Sequence, residues 1–161
     1  MTFSPKTWIV GEVVSAALLN QEIRDQWNSV LGAWTTYTPT WTAATTNPAL
    51  GNGTLTGRYM KIGRTVLVQI TLTMGSTTTY GSGTYNFSLP VDRAGLDAMG
   101  TARLSTTGSA YLGQTLAGSG ITVSFPSQST PGTAVNMSST APATLAATHV
   151  LRMNIAYEAV S

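Results

Sequence analysis

Residues 65–74 alternate apolar and polar side chains at almost every position. Successive side chains of a β-strand point to opposite faces, so this period of two predicts a strand with one face buried in a core. Leu67 is the one apolar residue that breaks the alternation. The inward face is expected to consist of Val66, Val68, Ile70, Leu72 and Met74.

Other short stretches carry the same signs of a strand along the rest of the chain. They are separated by turns rich in Gly, Ser, Pro and Thr, and Gly63 with Arg64 is expected to close a hairpin. Residues 91–100 show no clear pattern and are expected to form a loop. Short strands divided by such turns predict a mainly β chain with an antiparallel β-sandwich or jelly-roll-like head. The other predicted strands are residues 54–62, 84–89, 101–105, 109–116, 120–125, 134–138 and 150–160.

Residues 15–31 have helical rather than strand periodicity, with apolar side chains every three or four positions. This spacing places them on one stripe of a single α-helix, with Ser15 as its N-cap and Gly32 as a left-handed C-cap. The stripe has to be buried, either against the chain's own β domain or against the same helix in sister subunits. Its members are Ala16, Leu19, Ile23, Trp27, Val30 and Trp34.

Two extended stretches flank the helix. The lead-in before it is apolar at Phe3, Trp8 and Ile9, and this arm is expected either to fold back on the chain or to dock on a neighbour. After the helix, residues 35–42 read as an extended strip, because Pro39 disfavours a helix on both sides of it. The chain is thus divided into an arm with an anchor helix, residues 1–33, and a β-sandwich domain, residues 34–161.

The composition narrows the class of protein. Only 9% of the residues are charged, against about 25% in an average soluble protein, and Thr is the commonest residue. Neutral, Thr-rich β surfaces are unusual for cytosolic enzymes and common in extracellular and virion-surface modules. A net charge of +2 does not indicate a nucleic-acid partner. No apolar run reaches the ~20 residues of a membrane span, and no secretory signal is recognisable, so assembly in a cytoplasm and release by lysis are expected.

Few residues suit chemistry. His149 is the one histidine and is expected to be structural or superficial, and Asp92 with Asp97 is expected to lie in a solvated turn. The chain has no cysteine, so no thiolate metal site is available. No catalytic, cofactor or metal site is expected, and the chain is not predicted to be an enzyme. A basic cluster, Arg58, Lys61 and Arg64, is either a contact for phosphate, an acidic glycan or an acidic neighbour, or the solvated end of a hairpin.

Residues 34–90 begin WTTYTPTW, continue through GNGTLTGRY and end in FSLP. This run resembles a β module of small virion proteins from tailed phages and prophages, mainly of actinobacteria, where it is labelled tail fibre, minor tail or head fibre. The preceding run TWIVGEVVSAALLNQEIRDQWNSVLGAW looks like the attachment segment of such proteins. The likeness does not extend clearly over residues 91–161. It implies a virion structural protein, often trimeric, on either the head or the tail.

Together these observations predict a small homo-oligomeric fibre- or decoration-type protein of a bacteriophage particle, assembled in the host cytoplasm. Its expected partners are itself, as a homotrimer, other capsid or tail proteins, and a host-surface glycan; nucleic acid and membrane insertion are not expected. The alternative is a tail-spike module that binds or degrades host glycan. The residues predicted to dock on the virion or on sister subunits are Trp8, Leu19, Ile23, Trp27, Val30 and Trp34.

Overall fold

The structure is a computed structural model that describes residues 6–160, apart from the side chains at positions 29 and 31. A helical segment is followed, within this range, by ten β-strands. The predicted mainly β, antiparallel class with one N-terminal helical segment is confirmed. The strands are β1 Thr35–Tyr37, β2 Trp41–Ala43, β3 Thr54–Ile62, β4 Thr65–Thr73, β5 Tyr85–Phe87, β6 Ala98–Ser105, β7 Ala110–Ala117, β8 Ile121–Pro126, β9 Ala134–Asn136 and β10 Val150–Glu158.

All ten strands belong to one antiparallel sheet, in the order β1-β3-β4-β10-β6-β7-β8-β5-β2, with β9 paired to β8. The two ends of this order, β1 and β2, follow each other in the sequence and are joined by residues 38–40 alone. A link of that length spans at most roughly 14 Å. The sheet therefore curls until its two edges come close together, and its inner face surrounds one core.

The local strand predictions are confirmed closely. β3 has the predicted bounds of 54–62, and Gly63 takes the positive φ of +58° that the tight turn to β4 requires. The inward face of β4 is buried as predicted, and so is the alternating apolar face of β10. These buried residues are Val66, Val68, Ile70, Leu72, Leu151, Met153, Ile155 and Tyr157.

The predicted loop at residues 91–100 is shorter than expected, because β6 already begins at Ala98. The first residues of this strand give no apolar alternation, since Met99 points outward and is exposed. Pairing with β7, which places Met99 opposite Leu116, extends the strand instead. Tertiary hydrogen bonding decides this boundary rather than the local sequence.

Aromatic side chains fill the core at the β5–β2 end of the sheet. The Trp41 ring is stacked on Phe87 with centroids 6.3 Å apart, and meets Tyr85 edge-on at 5.2 Å. Such ring pairs add about 0.5–1.5 kcal/mol each beyond the area they bury. They join the short strands β2 and β5, which have three residues each, to one another.

A glycine allows similar packing at the other edge. Gly57 lies in the middle of β3, directly opposite Tyr37 of β1. A Cβ atom at Gly57 would stand 2.3 Å from the Tyr37 ring, so the ring occupies the space that a larger side chain would need. Tyr37 then packs edge-on against Tyr59 at 5.9 Å. The glycine is therefore part of the core packing.

The helical segment consists of α1 Ala16–Leu19, a π-helical stretch Asn20–Asp25 and α2 Gln26–Leu31, whereas one regular α-helix was predicted. Ser15 is its N-cap as predicted, since the Ser15 hydroxyl accepts a hydrogen bond from the Leu18 N–H at 3.2 Å. The predicted left-handed cap at Gly32 is wrong. Gly32 has φ −62° and ψ 162°, because the chain continues in an extended direction into β1 and does not reverse.

Candidate functional site

Apolar side chains lie exposed along the N-terminal segment, residues 6–33. Trp27 is 61% exposed and Ile23 50%, although both belong to the predicted docking stripe. Phe3, the other predicted arm residue, lies outside the described residues. We call the exposed set the N-terminal apolar surface: Trp8, Ile9, Val10, Val13, Val14, Leu19, Ile23 and Trp27.

The predicted docking stripe divides into two parts. Leu19, Ile23 and Trp27 are exposed, whereas Val30 and Trp34 are half-buried. Trp34 has a partner in the sheet, because the Arg58 guanidinium lies over its ring at 5.7 Å. The stripe therefore meets the chain's own sheet only at its C-terminal end, and the remainder is left uncovered.

The turn before the helix holds part of the apolar surface in place. The Glu12 N–H donates to the Ile9 carbonyl at 3.2 Å, and Lys6 pairs with the Glu12 carboxylate. The Lys6 ammonium also lies 5.2 Å from the centre of the Trp8 ring. The hydrogen bond from Lys6 lowers the pKa of the Glu12 carboxyl. Polar contacts thus shape residues 6–12 while Trp8 and Ile9 face solvent.

The three cations of the predicted basic cluster do not form one patch. Arg58 points outward from β3 and packs on Trp34, whereas Lys61 donates to the Val160 carbonyl at 3.3 Å. Arg64 bonds the Glu158 carboxylate at 3.0 Å. Two of these cations thus hold residues 158–160 against the β3–β4 hairpin, and each of the three has a partner within the chain.

The sequence pattern did not predict another group of basic residues, a pair of arginines. Arg103 of β6 and Arg152 of β10 are far apart in the sequence, but the strand register places them directly opposite each other. Both are exposed and line the same groove on the outer face of the sheet. Outward-facing positions in two predicted strands were the only available signal, and it does not say which strands pair.

Two of the three residues considered for chemistry, Asp97 and His149, have side-chain partners. Asp97 forms an ion pair with Arg93 at 3.0 Å, and Arg93 also donates to the Gly118 carbonyl. His149 is buried, and its Nδ1 accepts a hydrogen bond from the Ala146 N–H at 3.2 Å. Across residues 6–160, no three His, Cys, Asp or Glu side chains are grouped so that they could hold a metal ion.

No helix within residues 6–160 is both long enough and apolar enough to cross a membrane. Comparison of the chain with protein-family models, with curated protein sequences and with solved structures finds no match.

Proposed function

We propose that this chain is a bacteriophage virion structural protein, a small homo-oligomeric fibre- or decoration-type module on the particle surface. Its arm and helix dock on the virion or on sister subunits, and its β domain faces outward. One observation carries the proposal: the apolar side chains of the N-terminal segment are exposed, beside a sheet that buries most of its own.

The N-terminal apolar surface has the composition of a contact site. Soluble monomers rarely expose large contiguous apolar patches, and such patches mark interaction surfaces. Two tryptophans, Trp8 and Trp27, contribute to it, and buried tryptophans commonly dominate the binding energy of interfaces. The π-helical stretch within the segment supports the same role, since π-helical turns occur often at functional sites.

The sheet region, residues 34–160, has properties expected of the domain that faces away from the particle. In this proposal the two halves of the curled sheet face each other across the core as the layers of a sandwich or jelly roll do, and an extended arm precedes them. A surface with few charges and many threonines fits a particle exterior. The likeness of residues 34–90 to phage β modules supports the same assignment.

The proposed assembly is a homotrimer, in which Leu19, Ile23 and Trp27 of three helices meet around a symmetry axis. Sedimentation equilibrium of the full chain at micromolar concentration is expected to give a mass of three subunits. A stable monomer under these conditions would refute self-association and leave docking on the particle as the role of this surface.

Removal of residues 1–31 tests the proposal as a whole. The truncated chain retains every strand, so it is expected to keep a β-type circular dichroism spectrum and a cooperative melt. It is also expected to be absent from purified particles, because the docking side chains are gone. Incorporation at normal copy number would overturn the proposal.

Single substitutions refine that test. Trp27→Ala is expected to reduce incorporation, since loss of a large buried aromatic typically costs about 3–5 kcal/mol. Gln21→Ala is the matched control, because Gln21 is an exposed polar residue of the same helical segment. Equal incorporation of the two variants would show that the stripe is not the contact.

The alternative of a glycan-degrading spike has its own test. Incubation with host cell-wall glycan is expected to release no sugar if the protein is structural. Asn substitutions at Asp92 and Asp97 are then expected to leave infectivity unchanged. Lost infectivity, with normal folding and incorporation, would favour the degrading enzyme.

A further inference from the structure

Arg103 and Arg152 form an unfavourable pair in the free protein. They stand directly opposite each other in neighbouring antiparallel strands, and both side chains are exposed on the outer face. Like charges in this position destabilise a sheet, because their side chains are the nearest cross-strand neighbours. An oxyanion bound between the two guanidinium groups would offset this repulsion, because both groups could donate charge-assisted hydrogen bonds to it.

The other six basic side chains of the chain are already engaged. Each makes an ion pair, a hydrogen bond or a contact with an aromatic ring, as described above for several of them. In the described range, Arg103 and Arg152 have no such partner, and no Asp or Glu lines their groove. They are therefore the cations left free for an anion from outside. The engaged residues are Lys6, Arg24, Arg58, Lys61, Arg64 and Arg93.

The groove around the pair offers neutral hydrogen-bonding groups. It has a volume of about 490 Å³, within the usual range of ligand sites. Gln69, Thr71 and Asn154 line it beside the arginines. The Asn154 side-chain oxygen accepts from the Thr101 hydroxyl at 3.1 Å, which leaves the Asn154 amide nitrogen to donate to a ligand. This combination suits a ligand that has hydroxyl groups as well as a negative charge.

The surface continues past the arginines along β7. Leu112 is 71% exposed and is paired with Arg103 across the β6–β7 ladder. It lines the arginine groove and two adjoining cavities, one beside Ser124 and one beside Gln128. Neighbouring depressions that share Leu112 fit a chain-like ligand better than a single small anion, and Leu112 offers an apolar contact for the face of a sugar ring.

We propose that this outer face, centred on Arg103 and Arg152, binds an acidic polysaccharide. Carboxylate or sulfate groups of the polymer bond the two guanidinium groups, and sugar hydroxyls bond Gln69 and Asn154. Nucleic acid is a poorer match, because none of the described residues that line the arginine groove is aromatic and could stack on a base. The site lies on the sheet, apart from the N-terminal apolar surface, so polysaccharide binding can be tested independently of the proposed virion role.

Binding of the full-length protein to immobilised polygalacturonate and heparin tests the inference, with neutral dextran as the uncharged reference. The first polymer carries carboxylates and the second also carries sulfates, so the stronger binder identifies the anion. The double variant R103Q/R152Q is expected to bind at least 10-fold more weakly. R24Q/R64Q removes the same charge from ion-paired positions and is expected to change the affinity less than 2-fold.

Three results would overturn the inference: no binding to either acidic polymer at low ionic strength, equal losses in the two double variants, or tighter binding of single-stranded DNA than of both polymers. Hydrogen exchange of the unmodified protein is a second measurement that does not depend on the variants folding. Added polygalacturonate is expected to slow exchange in β6, β7 and β10. Protection confined to residues 6–31 would contradict the site.

Discussion

The N-terminal segment and the sheet region place similar side chains in opposite environments. Trp41 of the sheet is 9% exposed and Ile70 is 2% exposed, whereas Trp27 and Ile23 of the helical segment are 61% and 50% exposed. Both regions have clear apolar periodicity in the sequence. Periodicity therefore shows which side chains share a face, while burial requires a second surface to cover that face.

Removing an aromatic side chain from the sheet's core is expected to destabilise the protein most. Phe87 is fully buried and stacks on Trp41, so Phe87→Ala leaves a cavity and lost contacts. We expect a loss of about 3–5 kcal/mol in the free energy of unfolding, measured by urea denaturation. A loss under 1 kcal/mol would show that the sheet region is packed no better than the N-terminal segment.

The second-largest loss in the free energy of unfolding is expected in the sheet region at alkaline pH. Burial raises the pKa of Tyr85 and that of Tyr157 to about 12 each. Below about pH 10 the folded and unfolded chains both keep the phenol protons, so the contribution of these tyrosines to stability is fully present. It is lost as the pH rises toward about 12, because the unfolded chain releases its protons first. The expected loss is on the order of 2–3 kcal/mol per tyrosine.

Residues 6–31 contain no tyrosine, which provides a control for this pH dependence. The chain without residues 1–31 is expected to show the same decline between about pH 10 and 12 as the full chain. Tyr157→Phe is expected to flatten the decline, at the cost of the hydrogen bond from the Tyr157 hydroxyl to the Val91 carbonyl. A decline that disappears with the truncation would place its origin in the N-terminal segment.

A smaller effect is expected where the sheet lacks room for one methyl group. Gly57→Ala would place Cβ against the Tyr37 ring and displace it from Tyr59, so we expect a loss of about 1–3 kcal/mol. Gly118→Ala is the matched control, because a Cβ there has no atom within 4 Å and the backbone φ is not positive. Thermal melts of the two variants that coincide would contradict the proposed packing at β1.

The smallest effect is expected in the N-terminal segment itself. Trp27→Ala removes a large side chain that is mostly in solvent, so the free energy of unfolding is expected to change by less than about 0.5 kcal/mol in dilute solution. The same substitution is expected to weaken assembly, which dilution series in the ultracentrifuge would detect. A loss comparable to that of Phe87→Ala in dilute solution would show that the helix is part of the core.

Part of the architecture could be predicted from the sequence because it depends on residues that are close together in the chain. Alternation located most strands to within a few residues, and Ser15 marked the helix start through its capping hydroxyl. The left-handed cap at Gly32 was wrong because glycine permits that conformation without requiring it. The start of β6 was missed because its residues pair outward-facing side chains with β7, which no local pattern records.

Local spacing in the sequence is enough to predict the β class, the faces of β4 and β10, and the apolar stripe of the helix, since each depends on neighbouring residues. Only the folded chain shows that β1 and β2 lie at opposite ends of one sheet, and that the sheet curls to bring them together. It also shows that Arg103 faces Arg152, while Arg58, Lys61 and Arg64 each turn to separate partners. Strand pairing joins residues that are distant in the chain, and its register depends on the whole sheet, so local spacing does not encode it.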